Sequence, residues 1–79
     1  MSYIQQDLDL AQRHVDEGVR RVDHQRALIE LLHKAGYDVS AAEETLRILE
    51  TAQREFVAHR DRIAMTLGQP KYPRSPSSS

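Results

Sequence analysis

RHVDEGVRRVDHQR, residues 13–26, sets a glycine in the middle of a run otherwise rich in helix formers, with histidines and arginines on both sides. Whether Gly18 breaks that run decides the fold. Reading outward, a series at alternating spacings of four and three takes in Ile4, Leu8, Ala11, Val15, Gly18, Val22, Gln25, Ile29 and Leu32. The apolar phase holds on both sides of Gly18 and no proline interrupts it, whereas a hinge would not require the phase to be kept. The spacing predicts one continuous helix over about 4–35.

Gly36 follows the last apolar positions and can take the left-handed conformation that closes a helix, with His33 and Lys34 well placed in the final turn. Beyond Tyr37, Ser40-Ala-Ala-Glu43 matches a capping box, with Asp38 as the competing cap. The seam that follows is Ala42, Leu46, Leu49, Gln53, Phe56, Arg60, Ile63 and Leu67, and Gly68 and Pro70 stop it. A second helix is expected over about 40–67. Residues 68–79, GQPKYPRSPSSS, have little to bury, so a disordered Pro/Ser tail is expected after a 1–67 helical hairpin.

Composition agrees with this all-α class. Charged residues make up 29% and aromatics 5%, which suits solvated helices better than a sheet core. The absence of cysteine removes disulfides and thiolate metal sites as sources of stability for a 79-residue chain. With 11 Lys and Arg against 12 Asp and Glu, the formal charge of -1 gives no global attraction to nucleic acid or acidic membranes. MSYIQQDLDL has neither a basic leader nor an apolar core, so a soluble cytoplasmic protein is expected.

A short connector makes antiparallel helices the natural arrangement. Pairing the seams from the connector outward sets Ile29 against Leu46, Gln25 against Leu49, Val22 against Gln53 and Gly18 against Phe56. In that register Gly18 is a socket for the chain's one phenylalanine. Gln25 and Gln53 are polar seam residues that can fix register. Arg60, near Val15, is expected to reach Glu17 or Asp16. Leu10, Val19, Leu28, Leu31, Ile48, Val57 and Met65 lie beside the seam and widen its apolar stripe. They predict a homodimeric four-helix bundle of coiled-coil type.

Two chemical readings compete with this structural one. His14 and His59 fall at nearly the same height, with Glu17 and Glu55 close by, so His14, Glu17 and His59 are candidate metal ligands. The spacing departs from the Glu-x-x-His motifs of carboxylate-bridged bundles, and histidines that hydrogen-bond nearby carboxylates explain the same residues. Arginines 13, 20, 21, 26, 54, 60 and 62 suggest a stripe for the phosphates of a nucleic acid, but Asp16, Glu17, Asp23, Glu50, Glu55 and Asp61 are interspersed. Asp16 to Arg20 and Glu50 to Arg54 have the i to i+4 order of local helix pairs, which belongs to a solvated face. No nucleophile triad or glycine-rich phosphate loop is present, and two helices offer little concavity, so no enzyme activity and no cofactor are expected.

Arg13-His14-Val15, Glu17-Gly18, Arg21-Val22, Gln25-Arg26, Leu28-Ile29, Gly36-x-Asp38, Ala42-Glu43, Leu49-Glu50 and His59-Arg60-x-Arg62-Ile63 resemble a group of short, uncharacterised bacterial helical-hairpin proteins. The resemblance spans residues 8–63. It implies a compact bacterial hairpin and transfers no catalytic residue. Val39 departs from the capping threonine such proteins carry, which leaves the first residue of the second helix open. The functional expectation is a non-enzymatic interaction module: a small scaffold, adaptor or regulator.

Overall fold

The computed structural model describes residues 3–68, which form two helices packed against each other: α1, Gln5–Lys34, and α2, Ser40–Gly68. α1 runs unbroken through Gly18, as the phase of its apolar residues requires. The helix bounds agree with the sequence reading to within a residue, except that Gly68 belongs to α2 and not to the tail. The expected Pro/Ser tail from 69 to 79 lies outside the described residues.

Each terminus has its own chemistry. At the start of α1 the Asp7 carboxylate accepts the Ile4 amide hydrogen at 2.9 Å, placing an acid where the helix dipole favours one. At its end Gly36 adopts φ +83°. The Gly36 amide then donates to the His33 carbonyl and the Tyr37 amide to the Leu32 carbonyl, both at 3.0 Å, which is the Schellman closure that Gly36 predicts.

The start of α2 differs from the Ser40 capping box. The Glu43 amide donates to the Val39 carbonyl at 2.8 Å, so the cap position falls on Val39, whose side chain cannot accept a hydrogen bond. Asp38 takes that role from one residue earlier. Its Oδ1 accepts the Ser40 hydroxyl at 2.7 Å and the Ser40 amide at 2.9 Å. The hydroxyl first, and then the amide, hold the Asp38 carboxyl below its ordinary range.

The two seams form the interface as the spacing predicts. Ala11, Val15, Gly18 and Val22 of α1 and Ile63 of α2 are buried, and the remaining seam residues are half-buried, apart from exposed Ile4. The pairing by size holds in part, since Val22 and Gln53 line one groove and Gln25 and Leu49 another, but the contact at Gly18 differs. The side chain nearest Gly18 is that of Gln53, and a methyl group on Gly18 would overlap its side-chain oxygen. Gln53 lies across the bare backbone there and donates Nε2 to the Val15 carbonyl at 2.9 Å. Phe56 packs instead on the His14 ring, with centroids 5.5 Å apart.

Hydrogen bonding explains why Gln53 lies at Gly18. A buried amide without a partner costs about as much as burying a phenylalanine gains, and a carbonyl inside a helix is approachable where no Cβ shields it. The Gln53 Oε1 atom nevertheless remains buried without a donor. The contact therefore specifies register more than it adds stability.

Gly18→Ala gains about 1 kcal/mol of helix propensity but displaces Gln53. A thermodynamic cycle that combines it with Gln53→Ala should therefore return an unfavourable coupling of about 1 kcal/mol between the introduced methyl group and the native glutamine. Additive effects in chemical denaturation would contradict the contact. The cap of α2 is testable through pH. Because the folded-state pKa of Asp38 is depressed, its contribution is present above the unfolded carboxylate pKa and disappears as pH falls through the lowered folded value. Asp38→Ala should lower the melting temperature at neutral pH, and the gap should close in acid, below roughly pH 4. A gap that does not change with pH would contradict this assignment.

Candidate interaction face

Three polar residues interrupt the seams, and each makes a hydrogen bond across the interface. Gln25 donates Nε2 to the Ala42 carbonyl at 2.9 Å, near the connector. Gln53 reaches Val15 at mid-length. Toward the open end, Arg60 donates Nη1 to Gln12 Oε1 at 2.8 Å and Nε to Asp61 at 2.8 Å. Arg60 is thus held by Gln12 and Asp61, and not by the expected Glu17 or Asp16. Gln25 lines one groove with Leu49, as expected, while its amide reaches the backbone of Ala42. All three bonds demand a particular axial position of one helix against the other.

The flanks of the seam differ in chemistry. One is closed by charge: Arg26 donates to Glu50 across the two helices at 2.9 Å and has Asp23 at 3.9 Å. Val19, Asp23, Arg26, Glu50 and Arg54 share a shallow groove there. The i to i+4 order pairs Glu50 with Arg54, but Arg54 donates to Thr51 instead. Nothing in the sequence alone could choose between a local and a cross-helix arginine for Glu50, because both spacings are available.

The opposite flank carries four of the exposed apolar side chains, while exposed Val19 lies on the charged one. Leu10, His14, Glu17, Arg21, His24, Leu28 and Leu31 continue the four-and-three spacing one position to the side of the α1 seam. On α2 the matching line includes Thr45, Ile48, Ala52, Glu55 and His59. Leu10, Leu28, Leu31 and Ile48 are exposed, Leu31 to 67% and Ile48 to 61%. Val57, beside the other edge of the α2 seam, is half-buried.

The residues expected to carry chemistry sit on this same flank but serve packing. The His14 ring lies against Phe56, and the His59 ring meets Tyr3 edge-on at 6.2 Å. Glu17 pairs with Arg21 at 3.4 Å. Among the described residues no group of three His, Asp or Glu side chains is placed to hold a metal ion. Periodicity gives no sign of Tyr3, since it precedes α1 and belongs to no repeating series.

The arginines do not share one face either. Arg21, Arg26 and Arg60 are held by Glu17, by Glu50 and by Asp61 with Gln12, on different sides of the hairpin. Asp16 accepts from Gln12 at 3.0 Å, while the local ion pairs include Glu17 to Arg21 and Glu30 to Lys34. No helix among the described residues is long and apolar enough to cross a membrane. The chain matches no protein-family model, no curated protein and no solved structure.

The Arg26 to Glu50 bridge is half exposed, so its strength should be modest. Paired Arg26→Gln and Glu50→Gln substitutions should give a coupling of about 0.2–1 kcal/mol that shrinks at high salt. A larger coupling that salt does not reduce would show that this flank is covered in solution.

Proposed function

We propose that this chain is a non-enzymatic interaction module that self-associates into a homodimeric four-helix bundle and acts in the cytoplasm as a small scaffold, adaptor or regulator. The observation that carries the reading is the imbalance of apolar burial. Among the described residues the buried hydrophobics are Ala11, Val15, Val22 and Ile63, while Leu10, Leu28, Leu31, Ile48 and Met65 remain exposed. A two-helix layer has one interface, and a chain this short needs a second to complete a core. Symmetric association with a second copy supplies one without a new sequence, and it is the commonest solution among small oligomers.

The same geometry supports binding over catalysis. Among the described residues, the grooves beside Ile48 and beside Val19 are shallow and lie along helix surfaces, which suits contact with a partner better than enclosure of a transition state. Glu17 is paired with Arg21, and Arg26 and Arg60 also have carboxylate partners, which supports a solvated charged surface over a metal or phosphate site.

Sedimentation equilibrium at tens of micromolar should give twice the mass of the chain, with unfolding midpoints that rise with protein concentration. A monomer whose unfolding is independent of concentration would overturn the reading.

A further inference from the structure

Starting from the self-association reading, on which this step rests, we infer that the second copy docks on the flank bearing Leu10, Leu28, Leu31 and Ile48. Its dyad lies perpendicular to the helices, so that α1 runs antiparallel to the partner's α1.

The order of side chains along that flank of α1 points to this geometry. From the open end it reads Leu10, His14, Glu17, Arg21, His24, Leu28, Leu31. Reversed onto itself about Arg21, the series sets Leu10 against the partner's Leu31 and His14 against the partner's Leu28. Glu17 then meets the partner's His24. The outermost leucines meet each other, an imidazole ring lies on Leu28, and acid meets imidazole. Arg21 meets its own copy at the dyad, where Glu17, at 3.4 Å, already balances each guanidinium. On α2 the same height falls between Ile48 and Ala52, so a large side chain and a small one flank the dyad.

Charge separates this arrangement from the main alternative. A dyad parallel to the helices would lay α1 on the partner's α2 at equal height, bringing Glu17 onto the partner's Glu55 and His14 onto the partner's His59. The perpendicular dyad opposes like charges at Arg21 alone, where Glu17 offsets each guanidinium, and sets Glu17 against an imidazole instead of a carboxylate, so it is the more complementary of the two. The other flank of the hairpin is a poorer choice, because the Arg26 to Glu50 bridge would have to be desolvated there.

The described residues contain no cysteine, and the full chain has none, so single introduced thiols report geometry without interference. Leu10→Cys and Leu31→Cys chains are mixed, oxidised and resolved by mass. The mixed disulfide should dominate. Homodimeric disulfides in equal or greater amount would overturn the antiparallel dyad.

In parallel, Ile48→Glu and Val19→Glu chains are followed by sedimentation equilibrium, with far-ultraviolet circular dichroism to verify that both stay helical. Ile48→Glu should raise the dimer dissociation constant by about 100-fold or more, and Val19→Glu by no more than about threefold. The reverse ranking would overturn this face while leaving self-association standing. A monomeric native chain would overturn both.

Discussion

One amide laid across one glycine sets the geometry on which the rest of the hairpin depends. Gln53 is a polar residue at a position the seam would fill with leucine, and it must find an acceptor when the helices close. The acceptor is the Val15 carbonyl, approached over the bare, buried backbone of Gly18. Glycine costs helix propensity here, and Gln53 Oε1 is left without a donor. Neither residue is explained by stability alone. Together they allow one axial position of α2 and exclude its neighbours a turn away.

The division of labour along the interface follows from that constraint. Apolar seam residues supply adhesion that is largely indifferent to sliding, because leucine and valine pack acceptably one turn up or down. Gln25, Gln53 and Arg60 are not indifferent, since each must meet a particular acceptor on the other helix. With the axial position fixed, the flanks acquire distinct characters: the Arg26 to Glu50 bridge closes one, and the other keeps its leucines and Ile48 in the open. The proposed function grows from that asymmetry.

How much of this is legible in the sequence depends on the kind of information involved. Helix continuity through Gly18 and the closure at Gly36 are readable, because phase and glycine position are local properties. So is the membership of both seams, apart from Ile4. The side chain that meets Gly18 is not. Pairing by size puts Phe56 on Gly18, whereas the amide of Gln53 is nearest there and Phe56 packs on the His14 ring. The cap of α2 shifts for a related reason, as Asp38 satisfies Ser40 from outside the helix. Choices among competing polar partners depend on three-dimensional placement, which periodicity does not encode.

Nuclear Overhauser contacts in the native chain, labelled so that the Gly18 α-protons and the side chains of α2 are resolved, test the register most directly. The geometry described here predicts cross-peaks from those α-protons to the Gln53 side-chain amide protons, with the Phe56 ring protons instead showing contacts to the His14 ring. Strong cross-peaks between Gly18 and Phe56, with none to the Gln53 amide, would contradict it.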